Sequence, residues 1–221
     1  MERATAGKFL RTRSFAFRLI VTAVALGFWF WTQSLIGSRR APTSGIEDSV
    51  HVATASANLY LHQHAVAANA LLVVSSGLID LLGISLLASW IFRADPRPFV
   101  GLVIVLGLRQ ILQACVALPA PADAIWHYPG FPSLLVTYGV ANDYFFSGHT
   151  AIAVLGAAEL IRSGKLGWTI VGIAIVIFEA ATVLILRAHY TMDVFTGLVT
   201  GLYAVHLADR ILQPRELKRR G

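Results

Sequence analysis

Apolar runs of membrane-crossing length alternate along this chain with short polar segments. About 20 consecutive apolar residues cross a bilayer once, so the pattern predicts an all-α polytopic membrane protein with six transmembrane helices, at residues 19–36, 70–92, 99–118, 148–161, 168–186 and 191–212. The fourth run is short, and its ends are the least defined. A signal peptide competes for the first run. No small-residue cleavage site follows Gly37 clearly, and Phe28, Trp29, Phe30 and Trp31 suit a retained anchor. No repeat, linker or low-complexity segment divides the chain, so residues 1–221 read as one integral membrane domain.

Composition supports the same class: 56% hydrophobic, 14% charged and a mean hydropathy of +0.66 lie outside the soluble range. The net charge of +6 is a topology signal, because its basic residues flank the apolar runs. With the N-terminus inside, the cytoplasmic segments carry Arg3, Lys8, Arg11, Arg13 and Arg18, then Arg93 and Arg97, then Arg162 and Lys165, then Arg210, Arg215, Lys218, Arg219 and Arg220. Arg39, Arg40, Arg109 and Arg187 are left for the outside or the membrane. Both termini are then cytoplasmic, and a nucleic-acid partner is not implied.

Two outer connections follow. Residues 38–69 hold Pro42, Gly45, Glu47 and Asp48 and are long enough for a partial helix over the outer face. His62 and His64 in this segment point to different helix faces and read as solvated or interfacial residues rather than metal ligands. Residues 119–146 are rich in Pro and aromatics, among them Trp126, Tyr128, Phe131 and Tyr138. These form either an interfacial belt or a cage for a quaternary ammonium group. The single cysteine, Cys115, lies in the third run and reads as packing.

Candidate chemistry concentrates in two clusters, Asp143-Tyr144-Phe145-Phe146-Ser147-Gly148-His149-Thr150 and Arg187-Ala188-His189-Tyr190-Thr191-Met192-Asp193. Two crossings separate them, so His149 and His189 belong to one membrane surface, the extracytoplasmic or lumenal one. His189 and Asp193 are four apart, a spacing that shares a helix face. Arg109 lies inside an apolar run, where a charge is costly unless paired or facing a polar cavity. Asp80 and Glu179 lie in similar surroundings and could pair with Arg109, line a headgroup cavity or bond across helices.

At these motifs the chain resembles the phosphatidic acid phosphatase type 2 superfamily, and within it the branch of sphingomyelin synthases and plant phosphatidylcholine:diacylglycerol cholinephosphotransferases. The likeness spans about residues 97–209 and extends more weakly to Arg109-Gln110, Leu118-Pro119 and Pro132-Ser133-Leu134. It implies headgroup transfer, with phosphocholine a candidate headgroup, from a membrane phospholipid donor to a lipid alcohol such as diacylglycerol or ceramide. His189 would be the nucleophile forming a phosphohistidine, Asp193 its orienting carboxylate and His149 the acid and base. Ser147, Gly148 and Tyr144, at a helix start, and Arg109 and Arg187 would hold the phosphate. Asp143 would either shape that site or open the helix. No cofactor or metal is implied, since two His and one Asp make a poor magnesium site.

Two departures bear on the substrate. Many lipid phosphatases of the superfamily have Pro before Ser-Gly-His and Arg six positions before the second His, where this chain has Phe146 and Val183. Arg97-Pro98 resembles part of their first motif but falls on the opposite side of the membrane. Fewer cations suit a diester monoanion better than a monoester dianion, which favours transfer over a phosphatase of phosphatidate or isoprenyl diphosphate. A non-catalytic scaffold or transporter is the alternative of a different class. The predicted topology has a direct test. In a Cys115→Ala background, Tyr144→Cys reacts with an impermeant thiol reagent added from the extracytoplasmic side and Gly164→Cys does not; the reverse pattern puts the motifs in the cytoplasm.

Overall fold

The computed structural model describes residues 2–38, 46–139 and 144–217. Arg39, Arg40, Pro42, Gly45, Asp143 and the basic residues 218–220 lie outside the described residues. The described residues form eight helices and no strand: α1 (Glu2–Gly37), α2 (Ser49–Ala53), α3 (Ala55–Gln63), α4 (Ala65–Arg93), α5 (Pro96–Cys115), α6 (Gly148–Ile161), α7 (Leu166–Ile185) and α8 (Thr191–Leu217). Among the described residues, four segments are long and apolar enough to cross a membrane: Phe15–Leu35 within α1, α4, α5 and α7. Helix α6, with 14 residues, is a shorter apolar helix, and α8 is not among the four. The partial helix expected in the first outer connection is present as α2 and α3.

Helix boundaries follow local chemistry. Ala94 closes α4 in the left-handed conformation at φ 55°. One residue later Asp95 accepts from Arg97 N at 3.1 Å, with Pro96 as the first residue of α5, where its missing N–H costs nothing. Ser147 caps α6 by accepting from Thr150 N, and Asp48 caps α2 by accepting from Val50 N and His51 N.

Helix α6 is the centre of the bundle. Its residues from His149 to Ala157 are all buried, and α4, α5, α7 and α8 pack against it. A helix apolar all round has no solvent or lipid face to present. Helix α8 reaches it through glycines at four-residue spacing. A Cβ at Gly197 would lie 2.5 Å from Ser147 O, and one at Gly201 would lie 2.8 Å from Val154 Cβ. Such small-residue faces let helix backbones meet closely where lipid supplies no hydrophobic drive. Helix α1 lies at the periphery against α4 and α5.

The two ends of the bundle differ. At one end Arg162 pairs with Asp209 at 2.6 Å and Glu159 at 3.3 Å, and Arg97 pairs with Asp95 at 3.2 Å. Arg97 stands at the start of α5, about 18 Å along the helix from Arg109. It is therefore remote from both histidines. Gly197→Ala, which drives a methyl into a backbone carbonyl, is expected to destabilise the protein by about 1–3 kcal/mol. Gly27→Ala, whose Cβ meets nothing within 4 Å, should leave stability the same or slightly higher. Thermal melting in detergent reads both.

Candidate active site

The start of α6, the end of α5 and the turn between α7 and α8 border a cavity of about 550 Å³ measured to its open side, most of it narrow. Arg109, Trp126, Tyr144, Gly148, His149 and His189 are among its lining residues. Both motif histidines thus meet in one space, although 40 positions separate them in the sequence.

His189 lies just before α8. Its Nδ1 meets the Tyr144 carbonyl oxygen at 2.8 Å. A carbonyl only accepts, so in the neutral ring Nδ1 carries the proton and Nε2 keeps the lone pair. The expected hydrogen bond to Asp193 is not made: the nearer carboxylate oxygen is 3.9 Å from Nδ1. That oxygen accepts from Tyr190 N at 2.9 Å instead, and Asp193 O accepts from Ser147 N at 3.1 Å. Asp193, fully buried, closes the first turn of α8 and ties it to the cap of α6.

His149 is buried at 6% exposure, with the edge of Trp126 against its ring at 5.3 Å between centroids. Its Nε2 has no hydrogen-bond partner among the described residues. Arg109 NH1 donates to Gln33 Oε1 of α1 at 2.7 Å. Its Nε lies 3.3 Å from where a Cβ on Gly148 would stand, so glycine is what lets the guanidinium lie against the start of α6.

Other expected site residues are placed differently. The Ser147 hydroxyl is occupied in capping, accepting from Thr150 N and Thr150 Oγ1. Arg187 does not line the cavity. Its guanidinium donates to Ala122 O, Asp123 Oδ2 and His51 O, which fastens the two outer connections to the α7–α8 turn. Asp80 accepts from Ser133 Oγ, Leu134 N and Leu135 N and so anchors the second outer connection rather than pairing with Arg109. Glu179 accepts from Ser75 Oγ at 2.6 Å, a bond across α4 and α7. The His62 ring Nε2 meets Asp123 O at 3.0 Å.

The structure adds residues that spacing did not single out. Asp48 accepts from Thr191 N at 2.6 Å and Thr191 Oγ1 at 2.8 Å, and His51 Nε2 meets His189 O at 2.9 Å. Burial pushes the Asp48 carboxyl up, but the bonds from Thr191, His51 and Val50 outweigh it and hold the group below its usual 3.8. Phe146, fully buried, stands at φ 79°. Proline, locked near φ −65°, could not occupy that position. The backbone here therefore excludes at position 146 the proline that precedes Ser-Gly-His in many lipid phosphatases.

A family model described as AtPDCT1/2 matches residues 47–210, about three quarters of the chain. The chain belongs to the AtPDCT1/2 family. The matched stretch holds every cavity residue named above, while Gln33 and the rest of α1 precede it. Among curated proteins, phosphatidylcholine:diacylglycerol cholinephosphotransferase 1 of Arabidopsis thaliana is 25% identical over 122 residues, 55% of this chain and 39% of that protein. Cholinephosphotransferase 2 of the same plant is 23% identical over 122 residues, 55% of this chain and 40% of its own length. This AtPDCT1/2 member thus spans about two fifths of the length of the curated relatives it matches. No solved structure matches it.

The contact at Gly148 has a measurable consequence. Gly148→Ala must displace the Arg109 side chain by a few tenths of an ångström. Turnover of the reconstituted protein is expected to fall about tenfold, with expression and melting temperature unchanged. Unchanged turnover would show that the guanidinium position is not critical.

Proposed function

We propose that this protein is a lipid headgroup transferase that moves phosphocholine from phosphatidylcholine to a lipid alcohol, with diacylglycerol as the first acceptor to test and ceramide as the second. The observation that carries this reading is the shared cavity, in which the unpartnered Nε2 of buried His149 faces the same space as His189 and Arg109. Membership of the AtPDCT1/2 family and the similarity to two cholinephosphotransferases support it.

The proposed reaction has two halves. His189 Nε2 attacks the donor phosphorus in line, the P–O bond to the glyceryl oxygen breaks, and His149 Nε2–H protonates the departing alkoxide. The products are diacylglycerol and a phosphocholine bonded to His189. In the second half the acceptor hydroxyl gives its proton to His149 and its oxygen attacks phosphorus, breaking the P–N bond. Throughout, Nδ1–H donates to Tyr144 O, which keeps the reacting nitrogen aimed. Asp193, 3.9 Å from Nδ1, opposes the positive charge without sharing the proton. Arg109 offsets the charge on the phosphoryl oxygens.

Headgroup choice rests on two features. Arg109 is the cation among the described cavity residues, and Arg187 is engaged elsewhere, which suits a diester monoanion. Trp126, Tyr138 and Tyr128 cluster, with centroids 4.9 Å apart for the first pair and 6.2 Å for the second. Aromatic faces beside the cavity suit a quaternary ammonium group. The proposal includes six crossings, both termini cytoplasmic and the cavity at the extracytoplasmic or lumenal face, with fold and chemistry of the phosphatidic acid phosphatase type 2 kind.

The test reconstitutes purified protein with choline-labelled phosphatidylcholine and deuterated diacylglycerol or ceramide. Label is expected in deuterated phosphatidylcholine or in sphingomyelin, and phosphatidate should turn over more slowly than phosphatidylcholine. Release of the label as free phosphocholine, or faster turnover of phosphatidate, would make the protein a hydrolase. His149→Ala and His189→Ala are each expected to lower turnover by roughly three orders of magnitude or more.

A further inference from the structure

A second and larger concavity lies between α1 and α5, about 1930 Å³ measured to its open side. Val24, Phe28, Val103, Leu106, Gly107 and Ile111 are among the residues that line it. Residues on both walls are widely exposed, Val24 at 67%, Phe28 at 61% and Ile111 at 60%. It runs along α1 from Ile20 to Leu35, which at the helical rise is about 22 Å. Half of a bilayer core is about 15 Å, so the groove is long enough to take one lipid chain over a full leaflet.

The groove adjoins the histidine cavity. Trp29 and Leu106 line both. Its polarity is confined to the same end: Gln33 Oε1 accepts from Arg109 NH1 at 2.7 Å and from Gln110 Nε2 at 3.3 Å, and Gln110 lines the groove. An apolar channel with amide and guanidinium groups at one end matches an amphiphile whose polar end lies in the cavity.

We propose that this groove seats an acyl chain of the diacylglyceryl moiety, which rests on the transferase reading above. In that reaction the diacylglycerol that leaves and the diacylglycerol that enters occupy the same place, opposite His189 and within reach of His149. One seat therefore serves both halves. Gln33 belongs to α1, outside the family-matched stretch, and its contact makes α1 a wall of the substrate site as well as an anchor.

Gly107 allows a direct perturbation, because a Cβ there meets nothing within 4 Å and a larger side chain extends into the groove. The full chain, reconstituted in phosphatidylcholine vesicles, is irradiated with a diacylglycerol carrying a diazirine near the end of one acyl chain. Cross-links are expected within residues 15–38 and 96–115, and they should fall at least about fivefold in Gly107→Trp and in Val103→Trp. In parallel, the ratio of kcat/KM for dioleoylglycerol to that for dihexanoylglycerol should fall about tenfold in both variants. Cross-links confined to other helices, labelling that both variants leave unchanged, or equal labelling by a phosphatidylethanolamine probe would overturn the groove. Groove labelling without any turnover of phosphatidylcholine would retain the diacylglyceryl seat and remove the transferase reading, whereas turnover without groove labelling would do the opposite.

Discussion

Helix α8 can approach α6 only where residue 197 has no side chain, and the placement of both histidines depends on that approach. With a Cβ 2.5 Å from Ser147 O excluded by glycine, the first turns of the two helices come within backbone contact. Ser147 N then donates to Asp193 O, and Asp193 takes the Tyr190 amide. Each bond satisfies a group that would otherwise be orphaned at a helix start. His149 follows one cap and His189 precedes the other, so the contact between the two helices brings both rings to the same cavity.

The outer connections reinforce this junction from above. Asp48 and His51 hold the α7–α8 turn through Thr191 and the His189 carbonyl, while Arg187 joins that turn to Ala122, Asp123 and His51. Helix α1 acts from the side, through Gln33 on Arg109. The proposed chemistry needs few residues, but four separate chain segments hold them at the cavity. Rigid placement of this kind is what in-line transfer at phosphorus requires.

Much of this was legible in the sequence. Apolar runs located α4 to α8 to within about five residues, although α1 begins at Glu2, 17 residues before its run, and two polar clusters separated by a two-helix hairpin foretold that His149 and His189 would meet. The misplaced details have a physical origin. Spacing of four puts residues on one face only inside a helix, and α8 begins at Thr191, so His189 lies outside it and the rule does not carry its ring to Asp193. The ring's observed acceptor is a backbone carbonyl at Tyr144, which leaves no mark in side-chain identity. Arg187 looked like a phosphate cation because of its nearness to His189 along the chain, but its left-handed φ of 53° accompanies a side chain bonded to the outer connections. The central position of α6 was hidden too, since an apolar run facing protein reads like one facing lipid.

The proposed covalent step is open to one direct measurement. Purified protein is mixed with choline-labelled phosphatidylcholine without acceptor, quenched under alkaline conditions that preserve phosphoramidates, and digested for mass spectrometry. A phosphocholine adduct on His189 is expected, abolished in His189→Ala and discharged when diacylglycerol is added before the quench. Full transfer activity with no adduct at His189 under any acceptor-free condition would contradict a phosphohistidine route.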